Sequence, residues 1–147
     1  MSAATLHHAT VVEIDSRGVL IHGRPGAGKT LLALELLSRS RAAGIASAMV
    51  GDDYVYLSQE PKDGILRAAA PQETRGRIEL RGYGIADLEG ARTRPHADVA
   101  LAVALVPPGE AERVADPGRR AVFEGILLPE LACPECEPLS AAWAGFG

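Results

Sequence analysis

Short apolar blocks separated by polar breaks run along the first half of the chain, and the spacing inside each block predicts its element. Val11, Val12 and Ile14 predict a strand that closes near Asp15-Ser16-Arg17-Gly18, and Val19 to His22 a second, short apolar strand. At Leu31 the period changes. Leu31, Leu34 and the Leu36-Leu37 pair make a helical stripe that runs to Ala43, and Gly44 is a natural stop. Ile45 to Val50 reads as a buried strand ending at Gly51-Asp52-Asp53, and Tyr54 to Leu57 alternates weakly, as a further strand does. Glu60-Pro61-Lys62-Asp63-Gly64 is a turn. Arg75 to Arg81 reads as another strand, followed by the glycine-spaced Gly82-Tyr83-Gly84. Glu89 to Pro95 is polar and reads as a loop. Ala97 to Val106 is the longest apolar run and predicts a central strand, ended by Pro107-Pro108-Gly109. Beyond it, proline and glycine obscure the periodicity, and Leu139 to Phe146 reads either as a short helix or as an irregular tail.

A strand, a glycine-rich turn and a helix in succession predict an α/β protein with a mixed or partly parallel sheet and flanking helices. The 147 residues suit one domain, 1–147. Apolar residues are 47% of the chain but aromatics only 4%, so the core is expected to be built from Leu, Val, Ile and Ala. A net charge of -4 argues against a nucleic-acid partner. No apolar run approaches the roughly 18 residues of a membrane span, which argues against a membrane partner. Met1 to Thr10 lacks a basic start with a hydrophobic block behind it. With two cysteines and no disulfide scaffold, the expected location is the cytoplasm.

Gly23-Arg24-Pro25-Gly26-Ala27-Gly28-Lys29-Thr30 fits G-x-x-x-x-G-K-[ST] throughout. Glycines let the backbone turn tightly and bring N–H groups to phosphate oxygens. The helix behind them adds unpaired N–H groups and a positive dipole end. In such a loop Lys29 reaches the β- and γ-phosphates and the Thr30 hydroxyl serves Mg²⁺. The motif predicts nucleotide binding and leaves the reaction open.

Asp52-Asp53 follow the strand that succeeds the loop helix, at a strand end where α/β sheets bind ligands. One carboxylate there can orient a hydroxyl and accept its proton while the other holds Mg²⁺; the alternative is a solvated strand-end turn. Glu79 shares a strand face with Arg77 and Arg81, either as a Mg²⁺ ligand beside phosphate-binding arginines or as part of an exposed, ion-paired sheet face. His7 and His8 precede the first strand, where histidines are most often at the surface, and His22 adjoins the loop, where local packing or bonding suffices. Cys133-Pro134-Glu135-Cys136 is a lone C-x-x-C, short of the four ligands that structural zinc takes.

Together these pieces resemble the HPr kinase/phosphorylase family, specifically its catalytic domain in the short form of alphaproteobacteria. The resemblance runs from Leu6-His7-His8-Ala9 through Arg17 to Thr30 and Val50 to Val55. It is most specific at Ile78-Glu79-Leu80-Arg81-Gly82-Tyr83-Gly84-Ile85-Ala86-Asp87, similar to a family signature of the form I-E-V-R-G-L-G-I-I-D. It weakens through Glu112-Arg113 and Gly125-Ile126-Leu127-Leu128-Pro129. Gly51 stands where alanine is usual, Tyr83 where leucine is usual, and Ala86 where a larger aliphatic is usual.

The resemblance implies a single P-loop kinase domain of the HPr kinase type that uses ATP and Mg²⁺. It implies transfer of the γ-phosphoryl to a serine of the phosphocarrier HPr, reversal by inorganic phosphate with release of pyrophosphate, and a homo-oligomer. It implies Lys29 and the loop amides on the phosphates, Asp52 as acid and base with Asp53 beside it, Thr30 and Glu79 on the Mg²⁺ side, and His8 near the phosphate. Two other readings stand beside it: a P-loop kinase for another acceptor, and a nucleotide-gated regulatory module without efficient catalysis.

Overall fold

The computed structural model describes residues 4–60, 64–74, 77–80, 84–87, 93–111 and 116–135, with the backbone alone for 77–80 and 84–87. Its elements are β1 (Thr5–His7), β2 (Thr10–Ile14), β3 (Arg17–His22), α1 (Lys29–Ala42), β4 (Ser47–Gly51), β5 (Val55–Glu60), β6 (Ile65–Ala69), β7 (Arg77–Leu80), β8 (Gly84–Asp87), β9 (His96–Val106), β10 (Arg120–Phe123) and β11 (Ile126–Pro134).

The apolar run of β9 is the strand on which the sheet is assembled. One edge pairs in parallel with β3, from Gly18 opposite Val99 to His22 opposite Ala104. The other edge is shared: β6 runs antiparallel along His96 to Val99, and β11 runs parallel along Ala102 to Val106. The main path is β1-β5-β6-β9-β3-β2-β4, with β10 hung on β11, and β7 and β8 form a separate hairpin. Parallel and antiparallel pairs together make the mixed sheet of an α/β domain, as the sequence predicts.

Two hairpins fix the register. Ile14 faces Arg17, which leaves Asp15 and Ser16 as a two-residue loop with φ of 52° and 64°. Phe123 faces Ile126 in the same way, with Glu124 and Gly125 at 49° and 77°. Positive φ at both central residues is the type I′ pattern, whose twist matches that of paired strands.

The pleat then sorts the core. Val11, Leu20, Val50, Val55, Leu57, Leu66 and Val99 pack on one face, against Phe123, Ile126 and Leu128 of the β10–β11 hairpin. Their strand neighbours Val12, Ile21, Met49 and Val103 face the other way and meet Ala33 and the leucines of α1. Neighbours in sequence thus serve opposite layers, and a one-residue slip would turn both cores outward.

The strands expected at Val11–Ile14, Val19–His22, Ile45–Val50 and Ala97–Val106 are present with shifted ends, and α1 begins at Lys29 rather than Leu31. Among the described residues α1 is the one α-helix. The strands expected at Tyr54–Leu57 and Arg75–Arg81 correspond to β5 and β7, and the sequence pattern missed β1, β6, β8, β10 and β11. The turn at 61–63, most of the polar stretch at 88–92 and the C-terminal stretch from Leu139 to Phe146 lie outside the described residues.

A Cβ added at Gly18 would sit 2.9 Å from Asp98 O in the facing β9 backbone, which has no flexible end to move aside. Gly18→Ala should therefore lose about 1–3 kcal/mol of stability, measured as a lower denaturant midpoint.

Candidate active site at the phosphate loop

β3 delivers the chain to Gly23, where a Cβ would lie 3.0 Å from Leu105 O and 3.1 Å from Leu105 Cβ on β9. The absence of a side chain lets the loop turn directly over the neighbouring strand. Gly26 and Gly28 have φ of 80° and 102°, in the left-handed region that glycine occupies without strain. Gly28 caps α1, and the Leu32 amide donates to its carbonyl at 2.9 Å. Lys29 is thereby the first helical residue. Its Nζ folds back into the loop and donates to Gly23 O at 3.0 Å and Arg24 O at 3.1 Å. Burial pushes the Lys29 ammonium below its ordinary pKa of 10.5, while the charges of Asp53 and Asp52 act in the opposite sense.

Facing the loop is the end of β4. Asp52 is 8% exposed, and one oxygen, Oδ1, accepts from two hydroxyls, Thr30 Oγ1 at 2.8 Å and Thr10 Oγ1 at 3.0 Å. Thr10 also accepts, from the Asp53 amide at 3.2 Å. This buried hydroxyl therefore sets both acidic residues at once. Asp53 takes a left-handed φ of 69° and turns outward, where His8 Nε2 donates to its Oδ1 at 2.5 Å. The His8 ring in turn stacks on Tyr54, with centroids 5.0 Å apart and planes 23° from parallel. A Cβ on Gly51 would lie 2.6 Å from Val55 Cγ1, so the bend into Asp52 is made where no side chain fits unless Val55 gives way.

Arg24, the second loop residue, forks onto Glu135 just past β11, with Nε to Oε2 at 2.6 Å and Nη2 to Oε1 at 2.7 Å. The hydrogen bond and charge of Glu135 raise the Arg24 pKa. The Glu135 amide donates to Val106 O at 2.7 Å, so the pair ties the loop to the ends of β9 and β11.

The structure thus gathers Lys29, Thr30, Asp52, Asp53 and His8 at the mouth of the Gly23–Thr30 loop. Glu79 lies on β7 opposite Ile85, and its side chain is outside the described residues. His7 and His22 point away from this group. His7 donates to Glu124 at 2.7 Å and His22 to Glu130 at 2.8 Å, so both are bonded rather than free at the surface. Cys133 is on β11, and Cys136 lies outside the described residues. Sequence reasoning missed Thr10, Tyr54 and Glu135. Thr10 carried a faint signal, a polar residue immediately before the apolar Val11-Val12 pair.

Residues 1–134 match the HPr Serine kinase C-terminal domain family. The chain belongs to this family. It is 30% identical over 135 residues to an HPr kinase/phosphorylase of Limosilactobacillus reuteri, covering 86% of this chain and 40% of that protein. It is 31% identical over 141 residues to that of Geobacillus thermodenitrificans, covering 91% and 43%. The chain thus spans about two fifths of the length of these curated relatives. The structure of the Hpr(Ser) kinase/phosphatase from Coxiella burnetii superposes with a TM-score of 0.74 at 28% identity, over 95% of this chain and 85% of that one. The α/β fold with its mixed sheet is therefore the family's fold.

Thr10→Val removes a buried donor to Asp52 and the acceptor of the Asp53 amide. It should lower stability by about 1–3 kcal/mol, and Thr10→Ser should recover most of that in denaturant titration. For Lys29, a folded pKa below the unfolded 10.5 means that between the two values the unfolded chain binds more protons, so stability rises with pH there. Lys29→Met should lack that rise when unfolding midpoints are compared from neutral pH to 10.5.

Proposed function

We propose that residues 1–147 form one catalytic domain of a cytoplasmic HPr kinase that moves the γ-phosphoryl of ATP to a serine of HPr, assembles with further copies of itself, and runs the reverse with inorganic phosphate. Family membership supports the reaction class. The observation that carries the reading is the continuous set Thr30–Asp52–Thr10–Asp53–His8 at the mouth of a Gly23–Thr30 loop that already turns Lys29 Nζ inward.

In this reading the loop amides and Lys29 hold the phosphates, and Asp52, oriented by two hydroxyls, faces the acceptor serine. The serine Oγ bonds to the γ-phosphorus as the bond to the ADP oxygen breaks, and the serine proton passes to Asp52. Because the transition state is largely dissociative, orienting the hydroxyl is worth more than early proton removal. In reverse, an oxygen of inorganic phosphate bonds to the phosphoserine phosphorus, the serine oxygen leaves with the proton from Asp52, and pyrophosphate forms. Asp53, hydrogen-bonded to His8, lies beside Asp52. Mg²⁺ suits the hard oxygen of Thr30, with Glu79 as a further candidate ligand, and would neutralise charge on the transferring phosphates.

One observation favours a second assignment. The 2.8 Å contact of Thr30 with Asp52 fits the metal side of a phosphate loop, which leaves Asp53, paired with His8, as the base.

Transfer is tested by mixing the protein with Mg²⁺-ATP and HPr and following HPr by intact mass. One phosphoryl group should be added, and Lys29→Ala and Asp52→Asn should each reduce the rate by at least about 100-fold. Tight ATP binding with no added mass on HPr would count against the reading. The two assignments separate in a Mg²⁺ titration: a raised Mg²⁺ requirement in Asp52→Asn, with a purely kcat defect in Asp53→Asn, selects the second.

A further inference from the structure

We infer that Leu6, Tyr54 and Tyr56 form the ledge on which the acceptor protein seats the apolar side chains beside its serine. The inference rests on the proposed kinase reading and deepens it by placing the partner.

The register puts these side chains on one surface. Leu6 on β1 stands directly opposite Tyr56 on β5. Tyr54 immediately precedes β5 and His8 immediately follows β1, so the two sit at the site end of this pair of strands. The stacked rings of His8 and Tyr54 show the two strand ends meeting. The intervening Val55 and Leu57 point the other way, into the core.

This surface is open. Leu6, Tyr54 and Tyr56 are 49%, 45% and 40% exposed, while Val55 and Leu57 on the opposite side are fully buried. α1 packs on β2, β3, β4 and β7, and among the described residues it makes no comparable contact with β1 or β5. Next to the ledge the surface turns polar and is internally compensated: Arg67, opposite Ser58 and so two residues along the ladder from Tyr56, faces Glu60 and Asp98, each at 3.3 Å. An apolar centre with aromatic side chains and a polar rim is the composition of a protein-binding patch.

Its position commits it to one occupant. The ledge begins at Tyr54, whose ring lies on the imidazole that holds Asp53. An acceptor whose hydroxyl reaches the two carboxylates must lie over the surface continuous with them, and on the β1–β5 side that surface is this one. An exposed apolar and aromatic surface of this kind suits apolar side chains beside the acceptor serine rather than a charged segment.

The test is steady-state transfer to HPr by the full chain, with HPr and ATP varied separately. Leu6→Thr/Tyr56→Thr keeps residues suited to strands and removes the apolar surface. The expected result is a KM for HPr raised about tenfold or more, with the KM for ATP and the rate at saturating HPr unchanged. Tyr56→Phe should behave as the unaltered protein. An unchanged KM for HPr in the double variant overturns the ledge and leaves the kinase reading standing. No transfer to HPr by the unaltered protein overturns both. Should the double variant also lose ATP binding, the Tyr56→Thr single variant decides by the same two KM values.

Discussion

Asp52 is the joint through which the strands, the helix and the phosphate loop hold one another in place. A carboxylate this buried is expensive unless its oxygens are bonded, and removing one partner of such a group costs far more than an exposed pair ever returns. Its two hydroxyl partners come from separate elements, Thr10 from the start of β2 and Thr30 from the first turn of α1. To satisfy one oxygen, the helix must start at a fixed point relative to β2 and β4. That requirement also fixes Lys29, one residue before Thr30, and Asp53, one residue after Asp52. The carboxyl group proposed for the chemistry is therefore also the structural joint, and the loop cannot drift without breaking the bonds of a buried Asp52.

A second set of bonds holds the loop from the opposite end. Glu130, itself buried, accepts from His22 on β3 and from Arg119 ahead of β10, the latter at 2.9 Å. His22 immediately precedes Gly23, and its ring meets Phe123 edge-on at 5.3 Å. With Arg24 forked onto Glu135, the β11 strand grips the loop on both sides of Gly23. The hairpin that completes one hydrophobic layer therefore also stiffens the phosphate site. Under the proposed phosphoryl transfer, where positioning and electrostatics supply nearly all the catalysis, that stiffness would bear directly on rate.

What could be read from the sequence follows how local each signal is. The loop was legible because glycine spacing, Lys29, Thr30 and the helix start all lie within a few residues. β9 was legible because a strand flanked on both edges is continuously apolar. β6 was hidden because Ile65-Leu66-Arg67-Ala68-Ala69 is short and alanine-rich, and β11 because Pro129 and Pro134 read as breaks. Pro129 sits within the β10–β11 ladder opposite Arg120, before the pairing with β9 begins at Glu130. The Asp52-Asp53 pair could be found, but its division of labour could not, since that depends on Thr10, 42 residues away in the chain.

Gly51 shows how such a long-range constraint alters the reading of a single position. By resemblance it is a departure, a glycine where alanine is usual, just before the acidic pair. In the fold, a Cβ there would press on Val55 Cγ1 and come within 3.2 Å of Ala70 Cβ. Val55 is fully buried and opens the strand that carries Tyr54 and Tyr56 past His8. Glycine at 51 and valine at 55 thus fit as a pair: the smaller residue admits the β-branched one, which sets the path of β5 beneath the exposed aromatic row. A substitution between relatives at this position is a repacking between β4 and β5, and through Asp52 and Tyr54 it reaches both sides of the site.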